Sequence, residues 1–537
     1  MRYFDPRTCL APALAIALLA APAGADVVTD WNNALLDSVR TARTNPPVMT
    51  RNAALMNVSM YDAVSSIAGG YERYAISESA PLNASQEAAA AAAAHRILTA
   101  LYPADAATFD ALRDGHLAAV ADAVSRDAGA QWGQQVADAI LASRANDNST
   151  LVVAYTPPSG SFWWVPTPPG NVAALLPNWP YVTPWTMVRG TQYRATGPPP
   201  TPSEAIYATD FAEVKSLGRT DSTTRTADQS EIALFWNDGV GTETPPGHWN
   251  SIAQILAEGA DLSLVESARL FALLSITTAD AAIVSWDNKY HYHNWRPVTA
   301  IRAADTDGNP ATEADPEWTS LITTPPFPTY TSGHSTFSGS ASQVLALFFG
   351  SDDIPFSVDS DGLPGVTRSF DSLSQAGEEA GQSRIYGGIH WQYDNRDAIA
   401  GGRALAEHVF ANFLRPDGAG AEECAGGETT LCLHDGRFSV TVDWRSSPTT
   451  AGVGFAFART PEAGEFAFFE PENLELLVKV LQACEVNGHY WVFAAAATDV
   501  EYVIKVTDHD SGATRTFFNS LRTPGRATRD IEAFDCQ

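Results

Sequence analysis

Three short segments between residues 286 and 394 carry residue types and spacings able to do chemistry on an anion. The first is Trp286-Asp287-Asn288-Lys289, followed by Tyr290–Trp295 and then Arg296-Pro297. The second is Pro325-Pro326-Phe327-Pro328-Thr329-Tyr330-Thr331-Ser332-Gly333-His334-Ser335, and the third runs from Ser383-Arg384 to His390-Trp391-Gln392-Tyr393-Asp394. Lys289, Arg296 and Arg384 supply three cationic donors. Arginine matches an oxyanion bidentately and lysine offers a compact charge. The chain has only four lysines (Lys215, Lys289, Lys479 and Lys505), so one inside a motif is hard to dismiss as background. Gly333 and His334 stand just before an apolar-periodic run. Their backbone N–H groups therefore fall at a predicted helix N-terminus, where unpaired donors and the helix dipole favour negative charge. His334 and His390 are two imidazoles available for proton transfer, nucleophilic attack or metal ligation. Asp394, four residues after His390, can orient its ring if a helix begins there. Taken singly, each feature has an ordinary structural explanation: a basic helix end, a cap, a packed histidine.

The elements that must position these residues are mostly helical. A length of 537 residues exceeds one compact domain and predicts two or three. Hydrophobic residues at 45% and charged residues at 18% are those of a globular chain. A net charge of −29 argues against a nucleic-acid partner or an anionic membrane surface. Apolar periodicity predicts helices over 31–43, 48–67, 84–101, 131–144, 203–217, 228–236, 249–258, 262–287, 335–349 and 398–414. Between them, residues 157–202 hold twelve prolines plus Trp163, Trp164, Trp179 and Trp185. That density forbids regular helix, and the tryptophans point to an ordered wrap and not a flexible linker. Beyond 417 the pattern changes to short alternating runs at 437–444, 466–469, 474–480, 490–495 and 500–507, the pattern of a small β domain.

The expected organisation is a signal peptide over 1–25, an N-terminal helical bundle with its wrap over 26–202, a second helical bundle over 203–417 and a β domain over 418–537. The first segment carries Arg2 and Arg7, an apolar run Leu10–Ala21 and the small-residue site Ala23-Gly24-Ala25. No later uninterrupted apolar run reaches the roughly 18 residues of a transmembrane helix. A secreted or periplasmic protein is expected. Cys424, Cys432, Cys484 and Cys536 all fall in the last quarter, which suggests two disulfides in any of three pairings.

Together, Lys-x6-Arg-Pro, then Thr-Ser-Gly-His, then Ser-Arg-x5-His-x3-Asp resemble the signature of the vanadium haloperoxidase and type 2 phosphatidic acid phosphatase superfamily. The resemblance covers roughly residues 30–415, with Thr331 standing where the family usually has proline. It implies two four-helix bundles with the site in the second. It also implies that Lys289, Arg296, Arg384, Ser332 and the Gly333 amide hold the oxygens of vanadate or phosphate. His390 is then the axial vanadium ligand in a peroxidase, or the phosphorylated nucleophile in a phosphatase, and His334 the general acid–base. Vanadate mimics the phosphoryl-transfer transition state, so one pocket serves either chemistry.

Phe235-Trp236-Asn237-Asp238-Gly239 is similar to a segment of the fungal-type chloroperoxidases that pairs an aspartate with the acid–base histidine, which nominates Asp238. Trp286, Pro325, Pro326 and Phe327 resemble their apolar halide-side wall, and bromoperoxidases tend to carry histidine where Phe327 stands. The expected function is an exported haloperoxidase that uses vanadate, hydrogen peroxide and halide. The alternatives are a secreted phosphatase acting on a phosphoester through a phosphohistidine, and a non-catalytic oxyanion-binding protein. The pair His291-x-His293 and the Asp305–Asn309 and Asp359–Gly362 turns are set aside as metal sites, because their spacing or turn residues are wrong.

Overall fold

The computed structural model describes residues 26–417, 424, 426–447 and 450–536. The expected signal peptide and residues 418–423 lie outside the described residues. Among the described residues thirteen α-helices precede residue 417: α1 (Val27–Ala42), α2 (Pro46–Ala68), α3 (Gln86–Leu101), α4 (Ala106–Ala119), α5 (Ala123–Ser143), α6 (Ala205–Leu217), α7 (Ala227–Phe235), α8 (Thr244–Glu258), α9 (Leu264–Tyr292), α10 (Pro297–Arg302), α11 (Gly333–Phe349), α12 (Leu373–Tyr386) and α13 (Gln392–Asn412). The periodic stretches of the sequence become helices. Those stretches do not cover α4, α10, α12 or the antiparallel hairpin of β1 (Phe356–Asp359) and β2 (Thr367–Phe370).

Helix α9 organises the helical part. It packs on α2 and α8 on one side and on α11 and α13 on the other. Nearly every residue from Ser267 to Lys289 is buried. By length and composition α9 could cross a bilayer, but its whole apolar stretch is buried inside the protein. A helix that is apolar all round belongs in a core shared by several neighbours.

The Pro/Trp-rich stretch is hydrogen-bonded onto α9. Buried Asp280 accepts from the backbone N–H groups of Trp185 (2.8 Å), Thr186 (2.7 Å) and Met187 (3.2 Å). Arg194 forks onto Asp287 at 2.6 and 2.7 Å, and the Ala195 N–H donates to Asn288 Oδ1 at 3.0 Å. Carboxylates buried on a helix are stable only when paired in this way, so the wrap's backbone supplies what α9 requires.

Beyond residue 430 come β3 (Leu431–Leu433), β4 (Phe438–Ser447), β5 (Thr450–Val453), β6 (Phe455–Thr460), β7 (Ala463–Ala467), β8 (Leu476–Ala483), β9 (His489–Ala496), β10 (Glu501–Asp508), β11 (Thr514–Asn519) and β12 (Thr528–Asp535). They form two antiparallel five-stranded sheets, β11-β10-β4-β3 with β5 beside β4, and β12-β9-β8-β7-β6. Alternate residues such as Phe438, Val440, Val442, Leu476, Val478, Val480 and Ile504 fill one core between them. The cysteines pair as Cys424–Cys432 and Cys484–Cys536.

Candidate active site

Five element ends meet at one buried point. Lys289 lies in the last turn of α9, Arg296 is the residue before α10, and Arg384 lies in the last turn of α12. Ser332 caps α11, its Oγ accepting from the Ser335 N–H at 3.3 Å, so that Gly333 and His334 open the helix. His390 stands two residues before α13. Lys289, Arg296, Ser332, Arg384 and His390 are buried, and His334 is partly so.

The three cations are held from behind by carbonyls and left bare in front. Lys289 Nζ donates to the Thr329 carbonyl at 2.9 Å and also to that of Thr331. Arg296 donates Nε to the Phe327 carbonyl and Nη1 to that of Ile389, both at 2.8 Å, while its Nη2 has no partner. Arg384 donates Nη1 to the Trp236 carbonyl at 2.8 Å and keeps Nε bare. Burial pushes these groups down: Lys289 well below its usual value, with Arg296 adding to the effect, Arg296 to about 9 against the pull of Asp394, and Arg384 to about 10 against that of Asp238. Desolvated cations crowded together with unused donors are stabilised by an anion that takes up those donors.

His390 is oriented by Asp394. Its Nδ1 lies 2.8 Å from Asp394 Oδ2, so the proton on Nδ1 points at the carboxylate and Nε2 presents its lone pair to the cations, 3.0 Å from Arg296 Nη1. Asp394, in the first turn of α13, also accepts from the Trp391 N–H at 3.1 Å and from the Thr329 hydroxyl. Burial drives His390 well below the usual imidazole range, with Arg296, Lys289 and Arg384 adding to the effect. Both effects favour the uncharged ring, whose Nε2 lone pair faces the cations.

Asp238 is not placed as the sequence suggests. Its carboxylate faces His248 Nδ1 at 3.3 and 3.4 Å and does not pair with His334. The backbone of the same segment holds the acid–base candidate: the Asn237 and Trp236 carbonyls accept from the His334 ring, whose Nε2 is left without a partner. Burial, and Arg384 beside it, keep His334 well below the usual range.

The apolar wall stands against the cations. The rings of Trp286 and Phe327 lie 5.0 Å apart, and Lys289 Nζ and the Arg296 guanidinium sit 5.1 and 4.9 Å from the Phe327 ring. Pro325 and Pro326 flank it, partly exposed. The wrap braces this wall through one residue. The Leu175 carbonyl accepts from the Trp286 indole (3.3 Å) and the Tyr290 hydroxyl (2.6 Å), while its N–H donates to Pro326 (2.9 Å).

Sequence reasoning missed Thr329, His248, Tyr290 and Leu175. Thr329 joins Lys289 and His390 through its carbonyl and its hydroxyl, which lies 3.1 Å from His390 Nδ1. Its place between Pro328 and Tyr330 inside the second motif was the only signal available.

Residues 269–416 match the family model of the VCPO second helical-bundle domain. A vanadium chloroperoxidase of Curvularia inaequalis is 29% identical over 32% of this chain, and the match spans 37% of that relative's length. The fold is similar to that of a bacterial vanadium-dependent iodoperoxidase, with a TM-score of 0.65 at 28% identity, covering 73% of this chain and 96% of the other. A bacterial vanadium-dependent chloroperoxidase superposes with a TM-score of 0.53 at 16% identity over 68% and 92% of the two chains, a likeness of fold alone. With the motifs and these likenesses in agreement, residues 269–416 carry the second helical-bundle domain of the vanadium chloroperoxidase family, in a fold similar to that of the vanadium-dependent haloperoxidases.

Proposed function

We propose that this protein is an exported vanadium-dependent haloperoxidase that oxidises halide with hydrogen peroxide, its site lying in the second of two four-helix bundles. The observation that carries this reading is the pair of buried, unpartnered donors, Arg296 Nη2 and Arg384 Nε, with the unpartnered His334 Nε2, around His390 Nε2, whose lone pair faces Arg296 Nη1 at 3.0 Å. One imidazole lone pair ringed by cations suits an oxyanion with a single protein ligand, so the residues fit vanadate.

When bound, vanadate supplies the Lewis-acidic centre at which peroxide gives up an oxygen atom to halide. His390 Nε2 is its ligand, with Asp394 fixing the tautomer. Lys289, Arg296 and Arg384, with the Ser332 hydroxyl and the Gly333 N–H, hold its oxygens. Turning hydrogen peroxide and halide into a hypohalous acid and water consumes one proton, which His334 Nε2, left without a partner, would take up and pass on. Trp286 and Phe327 exclude water on the side where a weakly hydrated halide approaches.

His390→Ala is expected to abolish retention of orthovanadate in equilibrium dialysis of the full chain, with far-UV circular dichroism unchanged. Retention at the wild-type level would remove the ligand assignment. Phe327→His is expected to raise turnover of bromide relative to chloride, and an unchanged ratio would count against the halide wall.

A further inference from the structure

Behind His334 and Arg384 lies a buried charged cluster that the chemistry above does not use. His248, on α8, is 0% exposed and Asp238 is 4% exposed, and the two are paired at 3.3 Å. The His248 ring stacks on Trp236, with centroids 4.6 Å apart and planes 29° apart. Glu243 and Asp361 also face it, and Arg40 of α1 pairs with both of them at 2.9 and 2.7 Å. Burial pulls His248 down, but Asp238, Glu243 and Asp361 outweigh it and hold the imidazole above its usual range. The His248 ring therefore sits against Asp238 with both side chains closed to water.

Asp238 is also within electrostatic reach of Arg384, whose charge it favours. An unpaired carboxylate so near an arginine in a low-dielectric interior captures it. Here the carboxylate is occupied by His248, and Arg384 keeps Nε bare and Nη1 on the Trp236 carbonyl. The same carbonyl, with that of Asn237, holds the His334 ring.

Resting on the oxyanion reading of the site, we propose that His248 is a positioning residue. By occupying Asp238 it reserves Arg384 for the bound oxyanion, and by stacking on Trp236 it fixes the carbonyl that aims Arg384 and His334. The pair with Asp238, the stack on Trp236 and the Trp236 carbonyl on Arg384 form one unbroken chain of contacts.

The test is a double-substitution cycle on the full chain, read by the dissociation constant for orthovanadate in titration calorimetry. His248→Asn is expected to weaken binding by about 10- to 100-fold, the range for a group that orients ligands from behind. Adding Asp238→Asn removes the carboxylate set free to compete for Arg384, and is expected to restore at least about tenfold of that loss. Recovery of this kind is not produced by simple loss of packing. If wild type binds orthovanadate and His248→Asn binds as tightly, or the double variant is no better than the single, the inference is overturned. If wild type itself does not bind orthovanadate, the oxyanion reading falls first. Should His248→Asn not fold, His248→Gln takes its place in both arms of the cycle, with the same outcomes deciding.

Discussion

At the scale of single residues, the site is a balance of buried charge. Lys289, Arg296 and Arg384 are each held below their ordinary values by burial, and each loses its charge as pH rises through that lowered value. Anion binding needs the charged forms, so oxyanion affinity is expected to fall with rising pH, steepening near the Arg296 value of about 9. Affinity for inorganic vanadate or phosphate that stayed flat from neutral pH to above this value would contradict the assignment of these cations. Thr329→Val deletes the hydroxyl that donates to Asp394 while keeping the carbonyl that accepts from Lys289. It is expected to cost about 10- to 100-fold in vanadate affinity, and dialysis against orthovanadate measures it. No change would show that Asp394 alone orients His390. The cations and the two histidines were legible because their types recur in order at motif spacing. Thr329 and His248 were not, since a threonine in a turn and a histidine in a helix have ordinary structural uses, and only the folded chain brings them to the site.

At the scale of elements, precision comes from helices that approach closely. A Cβ on Gly402 would lie 2.6 Å from the Thr336 carbonyl oxygen, and one on Gly339 would lie 2.7 Å from that of Ile399, so α11 and α13 touch backbone to backbone. Helix α11 opens on Ser332, Gly333 and His334, α13 carries Asp394 in its first turn, and the Ser332 N–H donates to the Asp394 carbonyl at 3.2 Å. Gly402→Ala must push them apart, at a cost of about 1–3 kcal/mol of stability for an overpacked contact, with weaker oxyanion binding in step. A thermal melt and a vanadate titration of the same sample check both, and wild-type values in each would mean the helices have room to adjust. Tyr290→Phe removes one of the two side-chain donors to the Leu175 carbonyl. It is expected to raise the halide KM several-fold while leaving vanadate affinity unchanged, whereas equal losses in both would place Tyr290 in the anion pocket itself. Helix α12 escaped sequence reading for a related reason. Its sequence, Leu373–Tyr386, lacks an apolar stripe because Gly377 and Gly381 face Ser342 and Asn395 at close range, so small residues replace the usual hydrophobic signal.

At the scale of the whole molecule, the helical part and the β sheets are joined by polar contacts. Arg189 pairs with Glu501 at 2.7 Å and lies 4.7 Å from the Phe518 ring, Lys505 donates to Asn412, and Arg415 reaches the Gly512 carbonyl. The shift from helical to alternating pattern was readable near residue 417. The missed strands β3, β5, β6, β11 and β12 are short or carry little apolar alternation, and of these only β12 pairs with a strand distant in sequence, β9. The Cys484–Cys536 bridge closes a separation of 52 residues. Replacing both cysteines by serine is expected to destabilise the β sheets by about 2–4 kcal/mol without altering vanadate binding, and a parallel loss of binding would show that the sheets support the site directly. The most direct measurement of the central claim is one assay on the purified protein, with and without orthovanadate. It follows halogenation of a diketone dye by hydrogen peroxide with chloride or bromide, beside hydrolysis of a chromogenic phosphomonoester. Halogenation that requires vanadate and disappears in His334→Ala is the expected result. Phosphoester hydrolysis inhibited by vanadate, with no halogenation, would contradict it and make His390 a phosphorylated nucleophile.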